Sequence, residues 1–341
     1  HSRTHALTHS RTHALMKLGV VGTFVWDTIW TLADVQAGRP FETWGGLAYS
    51  LAAAAAARPE GWEIVPIVKV GSDLADEAHR FMAGLPGVSA GPGVLPVPEP
   101  NNRVELRYTD DVRRGERLTG GVNAWTWDEL APRLEGIDAL YVNFFSGFEM
   151  GLETAERLRA SFHGPLYADL HSLFLGCPGA GVRQMRSLPE WERWAACFHA
   201  VQLNDDELTM LAGASADPVP ARAERLLAHG PGLALVTQGG LGASYVVRDG
   251  FPADPREWSG WSGGGGAVRA GSLLPEQGHR PGDPTGAGDV WGVTFFASLL
   301  AAMPLEDAIR RAHRLAGCKM GVRGATGLYE HLAACADARG P

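Results

Sequence analysis

The stretch RPGDPTGAGDVWGVTFFASLLAAM, residues 280–303, places Gly286, Ala287 and Gly288 directly before Asp289, where an apolar helical pattern begins. Such a turn exposes backbone N–H groups at a helix start, and its glycines let an anion approach them closely. Asp289 would repel a resting phosphate, but it can accept a proton from an incoming hydroxyl while the amides stabilise developing negative charge. The stretch therefore predicts an anion-binding turn with Asp289 as general base; a plain glycine loop with an acid at a helix N-terminus is the alternative.

The rest of the chain alternates between short β-branched runs and longer helical patterns. Predicted strands include KLGVV from Lys17 onward, EIVPIVKV, DALYVNF, PLYADL, AVQLN and LALVTQ, and the last helical patterns cover residues 286–302 and 305–322. Strands that alternate with helices form a mostly parallel sheet with helices on both faces. We therefore predict a three-layer α/β/α fold in one main domain, which suits a chain of 341 residues.

Two segments, residues 28–43 and 101–121, break this rhythm. In the second segment, charged residues alternate with apolar ones, which is the period of a strand with one polar face: Arg103, Glu105 and Arg107 against Val104, Leu106 and Tyr108. We predict a small β-layer beside the main domain. Residues 249–281 are rich in Gly, Pro and Trp, and this composition predicts a long hairpin or loop.

Composition excludes several classes of protein. The formal net charge of −8 argues against a nucleic-acid-binding surface, which needs clustered Lys and Arg. No apolar run reaches the length of about 18 residues that spans a bilayer, so no membrane association is expected. The cysteines form no CxxC pair and are far apart, so we expect reduced thiols in a cytoplasmic protein: Cys177, Cys197, Cys318 and Cys335.

The chain begins with a repeat. HSRTHAL occurs at residues 1–7 and again at residues 9–15, immediately before Met16. A polar repeat of this kind is typical of vector sequence or upstream readthrough, and a metal-binding histidine tract is the alternative. We expect residues 1–15 to be a disordered extension, residues 16–327 the folded domain and residues 328–341 a C-terminal tail.

Two further motifs lie in the first fifty residues. VGTFVWD places Asp27 just beyond the first predicted strand, where open parallel sheets bind ligands, and its carboxylate can accept two hydroxyl hydrogen bonds or cap a turn. WGGLAYS places Gly45 and Gly46 at a helix start, where they allow close approach of a ligand or of packed backbone. The two motifs together predict an acceptor site near the first strand.

Two motifs follow strands in the second half of the chain. NDDE offers the Asn204 amide and the Glu207 carboxylate to a hydrated Mg²⁺, or else forms an Asn-capped helix start. TQGGLG offers the Thr237 hydroxyl and the flexible backbone of Gly239 and Gly242 to phosphates, or else forms a tight hairpin.

In this order, the motifs resemble the ribokinase-like (PfkB) family of carbohydrate and nucleoside kinases, over residues 17–327. DPTGAGD is similar to the family signature D-T/P-T-G-A-G-D, in which the last Asp is the catalytic base and the Gly-Ala-Gly amides form the anion hole. The resemblance implies a ribokinase-like fold with a β lid formed by residues 28–43 and 101–121.

The resemblance also implies roles for the other motifs. It makes Asp27, Gly45 and Gly46 contacts of a sugar acceptor, Asn204 and Glu207 the Mg²⁺-associated N-x-x-E pair acting through water, and Thr237, Gly239, Gly242 and Thr285 contacts of ATP. It further implies a monovalent cation, K⁺, near Asp283.

The chain departs from the family pattern at three positions. The Asn that closes G-G-x-x-x-N is Ser50 here, and Leu47 replaces a basic residue. Where many members carry D-x-N-x-R, this chain has DLHS, so that Asp169 and His171 are the candidate contacts of substrate or phosphate. These departures concern the acceptor.

Together, the residues and the resemblance predict an ATP-dependent kinase that uses Mg²⁺ and transfers the γ-phosphoryl group to a hydroxyl of a sugar or related polyol. A nucleoside kinase of the same family and a non-catalytic ligand-binding protein on the same fold are the alternatives. A nicotinamide-dependent dehydrogenase does not fit, because the first strand is not followed by G-x-G-x-x-G. A homodimer through the lid is compatible with the resemblance.

An uncharged acceptor is favoured over a sugar phosphate. Leu47 is not basic, and aromatic residues that can stack on a sugar or base lie in or beside the acceptor motifs: Trp26, Trp44, Tyr49 and Phe145. Arginines in the predicted lid favour the opposite interpretation if they face inward: Arg103, Arg107, Arg113, Arg114 and Arg117.

Overall fold

The computed structural model describes residues 16–109, 114–261, 263, 266–276 and 281–337. The predicted N-terminal extension, Arg113 of the second lid segment and residues 338–341 of the predicted tail lie outside the described residues.

The strands divide between two sheets. Numbered in chain order, they are β1 Lys17–Val21, β2 Phe24–Trp30, β3 Phe41–Gly46, β4 Glu63–Gly71, β5 Val94–Val97, β6 Arg103–Tyr108, β7 Arg114–Thr119, β8 Ala139–Asn143, β9 Leu166–Asp169, β10 Leu175–Gly179, β11 Val182–Met185, β12 Ala200–Asn204, β13 Leu233–Thr237, β14 Ala243–Arg248 and β15 Val268–Leu273.

The larger sheet has nine strands in the order β15-β14-β13-β12-β9-β8-β1-β4-β5. Neighbouring strands from β13 through β5 pair in parallel, and β14 and β15 each pair antiparallel at the far edge. Along β8, Ala139 and Tyr141 face one core while Leu140 and Val142 face the other, as the two-residue period of a strand requires. A sheet buried on both faces explains the apolar strand sequences.

Helices cover both faces of this sheet. They are α2 Leu47–Ala57, α3 Ala75–Ala83, α4 Trp127–Leu130, α5 Leu152–Ser161, α6 Trp191–Ala196, α7 Asp205–Ala212, α8 Val219–Leu227, α9 Ala287–Leu300, α10 Leu305–Lys319 and α11 Leu328–Asp337, while α1 Leu32–Ala37 contacts β2 of the smaller sheet. Helices α2, α3 and α9–α11 contribute to one core and α4–α8 to the other. The predicted three-layer α/β/α fold is confirmed. No described helix combines the length and apolarity that a membrane crossing needs.

The smaller sheet has six strands in the order β10-β11-β7-β6-β2-β3, and we call it the lid sheet. It contains both segments predicted as a separate β-layer, and its own small core comprises Val25, Ile29, Val104 and Leu106. The β10–β11 hairpin was not predicted, because the sequence LGCPGAGVRQM carries turn residues but little alternation. The segment 249–281, predicted as a long hairpin or loop, leads from β14 into β15, which pairs antiparallel with β14 and extends the larger sheet.

The end of the chain differs from the expected tail. Leu328 and Leu332 of α11 are fully buried in the core with α2 and α10, so the folded domain extends beyond residue 327. The expectation of reduced thiols is wrong for Cys318 and Cys335, which form a disulfide between α10 and α11. Their separation of 17 residues gave no sign of contact, and only the packing of the two helices brings the thiols together.

Candidate active site

Four neighbouring strands of the larger sheet end in polar residues at one edge. β8 ends at Asn143, β9 at Asp169, β12 at Asn204 and β13 at Thr237. Register pairs Asn143 with Asp169, and Asn204 with Thr237. Because the strands are parallel, their carboxyl ends lie along the edge where open α/β sheets bind ligands.

The turn 283–288 meets this edge at the start of α9. Gly286 precedes the helix with φ of 80°, and a Cβ there would lie 2.4 Å from the ring of Tyr49, so only glycine fits. A Cβ on Gly288, by contrast, would meet no atom within 4 Å. The Thr285 N–H donates to Asp283 Oδ1 at 3.0 Å, which fixes the turn. The turn therefore has one packed side and one open side, as an anion-binding turn requires.

Asp289 lies in the first turn of α9 and is 8% exposed. Asn143 Nδ2 donates to Asp289 Oδ1 at 2.5 Å and to Ser50 Oγ at 3.0 Å. Burial raises the pKa of Asp289, while the Asn143 hydrogen bond and the charges of His171 and Lys319 oppose that rise. Asp289 is thus a buried carboxyl that one amide holds in place.

Sequence reasoning missed Asn143. The only sign of a role was that Asn143 lies near the end of the predicted strand DALYVNF. It belongs to none of the short motifs from which the site was predicted. Ser50, noted as a departure from the family pattern, is the second partner of the same amide.

Asp169 joins the network through Gln202. Gln202 Nε2 donates to Asp169 Oδ2 at 2.8 Å and to the Gly288 carbonyl at 3.3 Å. The His171 N–H donates to Asp169 Oδ1 at 3.2 Å. Burial, reinforced by the Glu207 and Asp289 charges, raises the pKa of Asp169 well above its usual value, against the opposing charge of His171. The Gln202 side chain, also missed by sequence reasoning, therefore ties β9 to the anion-binding turn.

His171 and Glu207 form a close ion pair beside this network. His171 Nδ1 lies 2.5 Å from Glu207 Oε1. Desolvation would lower the pKa of His171, but the Glu207 carboxylate and the charges of Asp169 and Asp289 outweigh it and raise the pKa to about 10. A raised pKa favours the imidazolium form of His171, and 38% of its side chain is exposed to solvent.

The N-x-x-E pair caps α7. Asn204 Oδ1 accepts from the Glu207 N–H at 2.9 Å, and Glu207 Oε2 accepts from the Asn204 N–H at 2.7 Å, which is a capping box. Asn204 Nδ2 also donates to Glu207 Oε1 at 2.7 Å. Both Glu207 oxygens are thus engaged by protein donors, which suits contact with an ion through water better than direct coordination. Within the described residues, no three His, Cys, Asp or Glu side chains form a group that could hold a metal ion.

Asp27 occupies a different place from the one expected. It lies within β2 of the lid sheet, opposite Thr43 of β3, rather than beyond the end of β1. Its side chain is fully buried over Gly45, where a Cβ would lie 1.9 Å from Asp27 Oδ2. Gly45 is therefore required by the carboxylate, and Gly46 ends β3 at the start of α2.

The lid sheet contacts the anion-binding turn. The hydroxyls of Tyr108, at the end of β6, and Thr285 lie 2.9 Å apart. On the other side of the lid, Arg323 pairs with Asp34 of α1. These contacts are among those that attach the lid sheet to the main domain.

Three of the lid arginines have protein partners. Arg103 pairs with Asp73 at 2.6 Å, and Arg107 pairs with Glu105 and lies over the ring of Trp30. Arg117 donates to a backbone carbonyl at 2.9 Å.

A cavity of about 240 Å³ lies on the other side of the turn. The hairpin between β13 and β14 contributes Thr237, Gly239 and Gly242 to its wall, and α9 contributes Gly288. Apolar side chains form much of the remaining wall, among them Pro275, Trp291, Ala316 and Met320. Charged and polar side chains complete it: Glu276, Arg310, His313 and Arg314.

Apart from residues 283–287 of the turn, the predicted site residues form three groups. Asp289, Ser50, Asp169, His171, Asn204 and Glu207 lie in one network, in which Asn143 joins Ser50 to Asp289, and Gln202 joins Asp169 to the Gly288 carbonyl next to Asp289. Thr237, Gly239 and Gly242 line the cavity beside Gly288. Asp27, Gly45 and Gly46 form a separate group in the lid sheet, connected to the network through Ser50 of α2.

Comparison with known proteins shows which family and which folds this chain is similar to. Residues 183–331 match the profile of the family described as pfkB family carbohydrate kinase. No curated protein matches the chain. Ribokinase from Thermotoga maritima shares the fold with a TM-score of 0.64 and 17% identity, over 94% of this chain and 99% of that one.

Two further solved structures share the fold. Ribokinase from Arabidopsis thaliana, complexed with ribose and ATP, has a TM-score of 0.66 and 15% identity, over 96% of this chain and 100% of that one. A pyrophosphate-dependent kinase in the ribokinase family, complexed with a pyrophosphate analog and myo-inositol, has a TM-score of 0.66 and 18% identity, over 91% of this chain and 96% of that one. The chain is therefore ribokinase-like in fold along nearly its whole length and of the PfkB type in sequence over residues 183–331, and the resemblance predicted from its motifs is confirmed.

Proposed function

We propose that this protein is a kinase that transfers the γ-phosphoryl group of ATP to a hydroxyl of a small, uncharged sugar or related polyol. One observation carries the proposal: the buried Asp289 directly follows Gly288, which lines the cavity, and Asn143 of β8 donates a hydrogen bond to its carboxylate. A base between a donor cavity and an acceptor site is the arrangement that in-line phosphoryl transfer needs.

Asp289 acts as the general base. Its carboxylate accepts the proton of the acceptor hydroxyl, and the Asn143 amide keeps the second oxygen of the carboxylate oriented toward that hydroxyl. The amides of Gly286, Ala287 and Gly288 stabilise negative charge on the transferring phosphoryl group. These residues supply positioning and charge stabilisation, and no protein nucleophile is required.

ATP occupies the cavity beside the β13–β14 hairpin. The side chains of Pro275, Trp291 and Ala316 offer apolar surface to a purine, whereas pyrophosphate has no apolar part to bury. Thr237, Gly239, Gly242 and Thr285 contact its phosphates. Asn204 and Glu207 would hold Mg²⁺ through water, and the bound ion would supply positive charge against the phosphates.

His171 contributes positive charge on the same side. Its Nδ1 is engaged by Glu207, which leaves Nε2 for a phosphate oxygen. Asp169 is held by Gln202 and the His171 N–H and keeps that loop in position.

The acceptor lies between Asp27 and Asp289, under the lid sheet. The buried Asp27 carboxylate orients acceptor hydroxyls, and Gly45, Gly46 and Ser50 form the adjoining wall. An uncharged acceptor is favoured because Arg103, Arg107 and Arg117 are engaged by the protein, so they offer no open phosphate site. The Tyr108 contact with Thr285 closes the lid sheet over the turn and excludes water.

A panel assay of ADP release tests the proposal. Sugars, polyols and nucleosides are screened with ATP and Mg²⁺, and each active acceptor is compared with its phosphorylated counterpart. We expect acceptor-dependent ADP release that is faster with the uncharged member of each pair. Reactions without acceptor measure background hydrolysis, and pyrophosphate in place of ATP measures the alternative donor.

The outcomes separate the alternatives. Release with nucleosides alone would identify a nucleoside kinase, and preference for phosphorylated acceptors would reassign the lid arginines to substrate binding. Ligand binding without turnover across the panel would contradict the kinase assignment and favour a binding protein on this fold.

A further inference from the structure

Lys319, the last residue of α10, is a fully buried lysine directly behind the anion-binding turn. Its Nζ donates to the Asp283 carbonyl at 2.8 Å and lies 3.2 Å from Asp283 Oδ2. The ammonium also lies 5.5 Å from the centre of the Tyr49 ring, a favourable cation–π distance. A carbonyl, a carboxylate and an aromatic face thus surround one positive charge.

These contacts fix the turn from behind. Asp283 Oδ1 accepts from the Thr285 N–H at 3.0 Å, and the Asp283 N–H donates to the Met320 carbonyl at 3.1 Å. The same Tyr49 ring packs against Gly286. Lys319 therefore holds both the backbone and the side chain of the residue from which the anion-binding turn begins.

The family resemblance implies a monovalent cation at this place, but the residues present do not fit one. Such an ion binds to carbonyl and carboxylate oxygens. Here the Asp283 carbonyl oxygen and Asp283 Oδ2 already contact the Lys319 ammonium. A second cation at the same oxygens would face direct charge repulsion in a buried environment.

We propose that the Lys319 ammonium replaces the monovalent cation, so that the turn is held by a charge that belongs to the chain and the protein does not respond to K⁺. The catalytic meaning of this replacement rests on the proposed kinase function, but the arrangement of charges does not. Because an ammonium cannot dissociate from the chain, the turn keeps its conformation at any K⁺ concentration.

Thermal melting in chloride salts of K⁺, Na⁺ and choline, at matched ionic strength, tests the proposal without any assay of phosphoryl transfer. The wild-type melting temperatures should agree within about 1 °C, because no ion binds the folded state preferentially. A melting temperature several degrees higher in K⁺ than in choline would overturn the proposal.

Lys319→Met tests the same point from the other side, because it removes the charge and keeps much of the volume. The variant should melt at a lower temperature in choline, and K⁺ should recover at least about 2 °C of that loss by binding the exposed Asp283 oxygens. Lys69→Met is the matched control, since Lys69 is also buried and pairs with Glu129 at 2.7 Å, remote from the turn.

The control should lose stability equally in all three salts. An equal response of the two variants to K⁺ would overturn the assignment of Asp283 as a cation-binding residue. Lys319→Gln provides a second, polar variant if Lys319→Met does not fold, and the same K⁺-specific recovery is expected for it. Kinase activity can fail in every one of these proteins without affecting the result.

Discussion

The donor side and the acceptor side of the candidate site are built in different ways. The proposed phosphate-binding part of the donor side consists largely of backbone in two short segments, the hairpin 237–242 and the turn 283–288. The acceptor side consists of side chains from separate elements: Asp27 of β2, Ser50 of α2 and Asn143 of β8. A phosphate-binding site made of backbone N–H groups and glycines is formed by consecutive residues. A site that binds the hydroxyls of an acceptor can be formed by side chains that are far apart in the sequence.

The family match follows the same division. It begins at residue 183 and includes the hairpin and the turn, but none of the acceptor residues. Two of the structures that share the fold are complexes with different small molecules, ribose in one and myo-inositol in the other. The proposed acceptor side therefore lies outside the part of the chain that matches the family profile, and the predictions below test the two sides separately.

The largest effect is expected at the point where the two sides meet. Asp289→Asn keeps an oxygen for the Asn143 hydrogen bond but removes the basic carboxylate, so kcat should fall by about 10²-fold or more. Steady-state kinetics measure this loss, and calorimetry should give an ATP affinity close to wild type. Near-normal turnover in a correctly folded variant would contradict the role of Asp289.

A smaller and one-sided effect is expected for Asp27→Ala. Loss of a buried acceptor of hydroxyl hydrogen bonds should lower kcat/KM for the sugar or polyol by about 10-fold or more. The affinity for ATP should be unchanged, because Asp27 lies in the lid sheet and not at the donor cavity. If Asp27→Ala weakened the use of the acceptor and the binding of ATP equally, the assignment of Asp27 to the acceptor side would be wrong.

The reverse pattern is expected for Gly242→Ala. Gly242 has φ of 89°, and a Cβ would lie 2.0 Å from the Leu273 carbonyl oxygen, so the hairpin must shift. ATP binding should weaken by about 10-fold, consistent with roughly 1–3 kcal/mol of backbone strain. Gly239→Ala is the control. Gly239 also has a positive φ, of 55°, but a Cβ there would meet nothing within 4 Å, so the effect on ATP binding should be smaller. An equal or larger effect of the control would show that the hairpin geometry does not decide donor binding.

The smallest effect is a change in pH dependence. Asn143 donates to Asp289 and thereby lowers its pKa, so Asn143→Ala should raise it further. The base must be deprotonated to act, and activity is lost as the pH falls through its pKa. The acid limb of the kcat/KM profile should therefore move to higher pH in Asn143→Ala and move less in Ser50→Ala, which removes a hydroxyl that contacts Asn143. An unmoved limb would mean that Asn143 has only a structural role.

The sequence by itself determined the α/β/α layers, the boundaries of α9 and α10 to within a few residues, and the motifs of the donor side. Hydrophobic periodicity and glycine-rich turns are local properties, so they can be read from neighbouring residues. The same locality explains why Asn204 and Glu207 could be read both as an ion site and as a helix cap, and the cap is what their hydrogen bonds form.

Only the tertiary structure decided which distant residues meet. Asn143 and Asp289 are 146 positions apart in the sequence, and Lys319 and Asp283 are 36 positions apart. The disulfide joins two helices whose contact could not be predicted from the sequence pattern. The position of Asp27 in a lid sheet, and the engagement of the lid arginines by their own neighbours, depended on strand pairing that alternation alone does not specify. Burial, charge pairing and hydrogen bonding between remote segments are properties of the packed chain, and these properties set the chemistry of the site.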